Sequence, residues 1–225
     1  MGKHDQVGGV PSKVLEKVYT SRMVGKKSPG RKVYDHLRSS APQNLCPFCA
    51  QRVVATLDHY LPKSDFPSLV VVPNNLVPSC RDCNSSKLTY IATAESEQLL
   101  HPYFDNFSEN QWLFAELVEG SPVALDYFVQ QTEGITDTQF IRLKNNFSVL
   151  GLGELYASHA AAELANIHFQ LTEILEAGGP EDVRKHLLQA YRSRCQAHIN
   201  SWQTALYQAI SHNNWFYEGG FCEIG

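Results

Sequence analysis

The chain has 225 residues, 43% hydrophobic and 19% charged, with a formal net charge of −4. One or two domains with a sizeable core are expected, and global disorder is excluded. No apolar run approaches the roughly 18 residues of a membrane span, and the start, Met1-Gly2-Lys3-His4-Asp5-Gln6, lacks the apolar centre of a signal peptide.

These features predict a cytoplasmic protein. In that reducing compartment clustered cysteines read as metal ligands and not as disulfides. The charge is unevenly spread. Residues 1–91 carry 13 Lys+Arg against 6 Asp+Glu, and residues 92–225 carry 6 against 17. A basic front suits a polyanion, and an acidic rear suits a solvated helical face or a protein partner. Three segments are expected: a basic lead over 1–44, a core over 45–91, and a hairpin with acidic helices over 92–225.

In the lead, Gly8-Gly9 and Pro11 break early structure, and Ser12 is placed to cap a helix through Val18. Residues 24–32 read as a flexible basic loop, with Lys26, Lys27, Arg31 and Lys32 as candidates for phosphate contact. A short helix is predicted over 33–38. His4 and His36 read as surface histidines.

Cys46-Pro47-Phe48-Cys49 and Cys80-Arg81-Asp82-Cys83 stand 30 residues apart. A two-residue gap lets both thiolates of a pair turn onto one ion, and two pairs complete a tetrahedral sulfur site. With every ligand supplied by the chain, that zinc has no open position for water. It therefore holds the fold and performs no chemistry. Between the pairs, Val53 to Leu57 reads as a strand ending at Asp58-His59, and Asn74-Asn75 opens a second short element. A helix is predicted over 83–89. The order is strand, loop, strand, helix, with polar residues at the joints.

Asp58-His59, Asn75-Leu76 and Cys80-x-x-Cys83 followed by Asn84 resemble the HNH endonucleases, whose fold is a ββα-metal unit. The likeness covers about 45 residues, a fifth of the chain. Asn84 stands where the name-giving pattern has a second histidine, so this is the His-Asn-Asn form. The resemblance implies that His59 acts as general base on a water, a role suited to an imidazole near neutral pH. It implies that Asp58 and Asn84 hold one Mg²⁺ or Mn²⁺ ion and that Asn75 braces the loop and orients the histidine. Lys87, one helical turn after Asn84, Arg81 and Lys63 are candidates for contact with substrate phosphate.

Behind the core, residues 91–100 are predicted to continue as helix. His101 in the turn-like 101–107 is assigned to packing. Residues 112–118 and 123–129 flank Glu119-Gly120-Ser121-Pro122 as a β-hairpin. Thr136 or Asp137 caps a helix that Gly151 and Gly153 end, a second runs over 154–177, and a long third over 181–211. The aromatic end, Trp215 to Cys222, is either tucked onto the body or an exposed docking peptide. His159, His168, His186 and His198 read as surface or packing residues, and Cys195 and Cys222 as free thiols.

The fold expected is α+β: a ββα-metal core stapled by a four-cysteine zinc, a hairpin, and a mainly helical C-terminal region. The function expected is an endonuclease acting on DNA or tRNA, with no membrane involved. The layout also resembles nuclease subunits of Septu-type and some retron anti-phage systems, which implies an ATPase partner. A silent zinc adaptor and a stand-alone restriction or homing-type nuclease are the alternatives.

Overall fold

Gly8 and Gly9, both with positive φ, reverse the chain between two short strands, β1 (Gln6–Val7) and β2 (Val10–Pro11). The computed structural model describes residues 6–88 and 90–223. His4 and Thr89 therefore lie outside the described residues. The chain forms two compact units that divide after Asp105. The lead and the cysteine-bracketed core thus share one unit, where the sequence suggests a boundary after 44, and residues 92–105 group with them.

In the first unit, helix α1 (Ser12–Tyr19) follows β2 directly, so Pro11 and not Ser12 occupies the cap position. The hydroxyls of Thr20 and Ser21 both bond the Lys17 carbonyl. Such side-chain competition with the helical ladder suits the wider π turn that follows over Thr20–Val24. The basic stretch after it is an ordered turn and not a flexible loop. Ser28 N–H bonds the Gly25 carbonyl, and Gly30 N–H bonds the Arg22 carbonyl. A side chain at Gly30 would meet that carbonyl and Met23 Cγ at 2.8 Å. Arg31 opens α2 (Arg31–Arg38) and grips Asp35 through both Nε and an Nη, at 2.9 and 2.8 Å. It is therefore already paired, whereas Lys26, Lys27 and Lys32 remain exposed. Tyr19, Met23 and Tyr34 from this region bury themselves with Leu57, Val70 and Leu76.

The predicted ββα order is present. Strand β3 (Thr56–His59) pairs antiparallel with β4 (Leu76–Ser79), placing Asp58 opposite Val77 and His59 opposite Leu76. Val53 makes an isolated bridge to Leu45 and lies outside β3, so the strand starts later than its β-branched run suggests. Helix α3 (Arg81–Lys87) follows. It stops where Leu88 adopts a positive φ of 32°. Beyond it the expected helix over 91–100 is replaced by one 3₁₀ turn, Glu95–Glu97. There the Glu97 carboxylate accepts from both the Thr93 N–H and its hydroxyl, at 2.8 and 2.6 Å.

In the second unit, β5 (Leu113–Val118) and β6 (Ala124–Val129) form the predicted hairpin. Thr136 and Gln139 close a capping box on α4 (Asp137–Val149). Gly151, at φ 60°, turns the chain into α5 (Leu152–Gly178). Gly153 therefore lies inside α5 and does not end α4. Helices α6 (Pro180–Ala197) and α7 (Trp202–His212) replace the single long helix expected over 181–211. Asn200 sits in the gap, and its side chain accepts from Trp112 and Leu113 N–H and donates to the Phe107 and Asn110 carbonyls. A continuing helix would forfeit those four bonds. Leu164, Leu171, Leu187, Leu206 and Ile210 bury fully as α5, α6 and α7 pack with the hairpin. Phe216 in the short α8 (Asn214–Tyr217) and Phe221 beyond it are wholly buried, so the aromatic end is tucked in. Cys195 and Cys222 carry free thiols. Among the described residues, no helix is long and apolar enough to cross a membrane.

Candidate metal centre and catalytic face

The first Cys-x-x-Cys pair sits on a tight knuckle. Ala50 N–H bonds the Cys46 carbonyl at 2.7 Å, and Ala50 takes a left-handed φ of 53° to complete the turn. The second pair starts α3, where the Cys80 sulfur accepts from Cys83 N–H at 3.3 Å. All four cysteines are buried, and their Sγ atoms lie within 4.8 Å of one another. Tetrahedral zinc, with Zn–S of about 2.3 Å, needs sulfurs roughly 3.8 Å apart. The donors therefore fit a structural zinc held by Cys46, Cys49, Cys80 and Cys83.

Crowding sets the protonation of these sulfurs. Hydrogen bonds from the Cys49 and Cys83 thiols hold Cys46 well below the usual thiol range. The contact with Cys46 pushes Cys49 up to about 11 and raises Cys83 as well. A dication removes this conflict by stabilising every thiolate together.

The cluster anchors α3 beside the β3–β4 pair. Strand alternation sends Asp58 and His59 to opposite faces of β3. The His59 ring lies edge-on to Tyr19, with centroids 4.5 Å apart. Its Nε2 is 2.9 Å from the Val70 carbonyl oxygen. A carbonyl only accepts, so Nε2 carries the proton and neutral His59 presents its lone pair at Nδ1. Burial lowers the His59 pKa, the Val70 hydrogen bond opposes that, and the charges of Lys63 and Lys87 lower it further. Imidazole is thus favoured over imidazolium.

Asn75 is buried and ties the intervening loop. Its Oδ1 accepts from Leu61 N–H at 2.7 Å, and its Nδ2 donates to the Leu61 and Leu69 carbonyls at 3.1 and 3.2 Å. Leu69 precedes Val70, so the amide steadies the segment that holds the His59 ring. His101 packs against Tyr60 at 4.2 Å and uses both ring nitrogens. Nε2 donates to the Asn74 carbonyl and Nδ1 accepts from Tyr103 N–H.

The other face of β3 differs from expectation. Lys87 is only 2% exposed and Asp58 only 4%. The Lys87 ammonium lies 2.9 Å from Asp58 Oδ2 and donates to the His59 carbonyl at 2.8 Å. The approach to Oδ2 is off the hydrogen-bonding direction, so that oxygen is held by charge and receives no aligned donor. Burial raises the Asp58 carboxyl, and the ammonium opposes the rise. Lys87 is therefore not a surface phosphate contact. Its helical spacing from Asn84 is as expected, but it points into the protein. Asp58 is already neutralised, and with Asn84, half-buried one turn before Lys87, it does not fit a divalent ion in this arrangement. Arg81 is exposed at the start of α3, and Lys63 is half-buried.

The chain is similar to two proteins. Over 95% of its length it is 29% identical to protein ea31 of Escherichia phage lambda, of which it covers 76%. Over 82 residues it is 33% identical to Septu protein PtuB of Bacillus thuringiensis. That match covers 34% of this chain and 31% of PtuB, so about a third of each is shared. No family model and no solved structure matches.

Sequence reasoning missed three groups at this site. The Val70 carbonyl is main chain and carries no side-chain signal. Tyr19 reaches His59 from the end of α1, 40 residues earlier. Tyr60, beside the Asp-His pair, places its ring 5.6 Å from the Lys87 ammonium, and the adjacency was the one available clue.

Proposed function

We propose that this chain is an HNH-type endonuclease that hydrolyses phosphodiester bonds, DNA in the first instance and tRNA as the other candidate. The observation that carries this reading is the tautomer of His59, fixed by the Val70 carbonyl with Nδ1 left as the basic nitrogen. In the proposed step Nδ1 takes a proton from water, and the water oxygen bonds to phosphorus. The phosphorus–O3′ bond breaks, and the leaving oxygen takes a proton from solvent. Arg81 and Lys63 are the cations proposed to meet the phosphate. No step is drawn through Mg²⁺ or Mn²⁺.

The likeness to a Septu protein supports a role in anti-phage defence. The partner proposed with it is an ATPase that docks on the acidic second unit. The Asp58–Lys87 pair favours a second reading, a zinc adaptor without chemistry, because the expected cation position is already neutralised. Incubation with duplex DNA, single-stranded DNA and tRNA separates the two. With Mg²⁺ or Mn²⁺ supplied and the neighbouring gene product present, the wild type is expected to cleave at least one substrate. The His59→Ala variant is expected to lose cleavage and keep its zinc. Equal cleavage by His59→Ala removes the base assignment, and no cleavage by the wild type leaves the adaptor reading.

A further inference from the structure

A buried ammonium requires a negative or strongly polar shell. Lys87 has one built from three consecutive residues at the end of β3. Asp58 Oδ2 faces it from β3 at 2.9 Å, and the His59 carbonyl accepts from it at 2.8 Å. The Tyr60 ring stands 5.6 Å away, held in place by its own hydroxyl, which donates to the Leu99 carbonyl at 2.6 Å. Carboxylate, carbonyl and aromatic face are the groups that recognise a cation. A divalent ion on Asp58 would need its oxygen at about 2.1 Å, in direct competition with an ammonium already touching that oxygen.

We propose that Lys87 is the resident cation of the Asp58 position, closing that carboxylate to divalent metal ions while the protein is free of nucleic acid. By holding the His59 carbonyl, Lys87 also fixes the end of β3 and is a positioning residue for the imidazole. Its use in a nuclease site rests on the reading above, whereas its occupancy of the Asp58 position is read by metal binding alone.

The test is Mn²⁺ binding to the zinc-loaded full chain without nucleic acid, followed by the electron paramagnetic resonance of free Mn²⁺. Wild type, Asp58→Asn, Lys87→Met and the double variant are compared. Asp58→Asn is expected to leave the wild-type affinity within about twofold. Lys87→Met is expected to gain a Mn²⁺ site at least tenfold tighter than any in the wild type, and Asp58→Asn in the same chain should abolish it. A tenfold loss on Asp58→Asn alone overturns the proposal, because Asp58 would then already hold metal. So does a folded, zinc-replete Lys87→Met that gains nothing. Should Lys87→Met fail to fold, the wild type and Asp58→Asn decide the matter between them. Cleavage lost in His59→Ala, beside a failed Mn²⁺ pattern, would keep the nuclease and remove the resident cation. The expected Mn²⁺ pattern without cleavage by the wild type would do the reverse.

Discussion

The two units reach their folds by different means. The second buries long aliphatic stripes, with Leu164, Leu171, Leu187, Leu206 and Ile210 shielded from solvent. The first spreads its apolar mass over short pieces, and the cluster around Tyr19, Met23, Tyr34, Leu57, Val70 and Leu76 lies apart from the four cysteines. Its strands β3 and β4 have four residues each and α3 has seven. Elements that short gain little from local propensity, so a cross-link at the four cysteines would add what area does not. The comparison teaches that the candidate site stands on the unit with the shorter elements, where a zinc on the four cysteines would add most to stability.

Zinc removal is the largest expected break in that comparison. Apparent zinc binding of roughly 10–16 kcal/mol in small sulfur sites is folding free energy for the elements that carry the ligands. Chelation, or Cys80→Ser, is expected to strip amide protection from β3, β4 and α3 while α5, α6 and α7 stay protected. Hydrogen exchange with peptide-level resolution measures both regions in one experiment. Retained protection around Leu57 and Leu76 in zinc-free protein would show that the first unit folds on its apolar cluster alone.

Asn200→Ala sharpens the comparison from the other side. The change deletes four hydrogen bonds to the backbone at the entrance to β5, and of the groups involved the Phe107 carbonyl keeps the Trp112 indole N–H as a donor. A loss of about 2–3 kcal/mol is expected, confined to the second unit. Thermal unfolding should show an earlier transition for α6, α7 and the hairpin, with zinc content unchanged. A cost below about 0.5 kcal/mol would mean that helix packing, and not the Asn200 side chain, sets the break between α6 and α7.

The parts legible in the sequence are those whose signal is local. Two Cys-x-x-Cys spacings forecast a four-sulfur cluster, two apolar runs flanking Glu119-Gly120-Ser121-Pro122 forecast the hairpin, and of the two expected caps, Thr136 and Asp137, Thr136 is the one used. The parts that were not legible depend on a partner far along the chain. Nothing near 198–201 is a glycine or proline. Ser201 caps α7 locally, accepting from Thr204 N–H, but the bonds that hold the gap open are those Asn200 makes some 90 residues away. Leu88 stops α3 in a left-handed conformation that favours glycine, which no propensity rule would anticipate. The candidate site divides in the same way. The helical spacing of Asn84 and Lys87 was readable, but whether that face met solvent or Asp58 depended on which side of β3 packed against α3.

The smallest expected effect distinguishes the two faces of β3. Burial depresses the His59 pKa below its ordinary value of 6.5. Below pH 6.5 the unfolded chain takes the proton first, while folded His59 stays neutral. Its contribution to stability is therefore fully present above 6.5 and is lost as pH falls through the folded pKa. The same displacement keeps a basic nitrogen available at pH values where an exposed histidine is already charged. A nuclease using His59 should then hold its rate below pH 6.5, with the acid limb following the His59 titration seen by nuclear magnetic resonance. Asp58 on the opposite face moves the other way, since burial raises its carboxyl. Folded Asp58 therefore takes its proton before the unfolded chain does, and its contribution to stability grows as pH falls through its folded pKa. Substituting His59 by Gln should remove the acid-side loss due to His59 and leave the Asp58 gain. If His59 titrates at or above 6.5, burial does not dominate at the ring, and the imidazole is charged at acid pH like an exposed histidine.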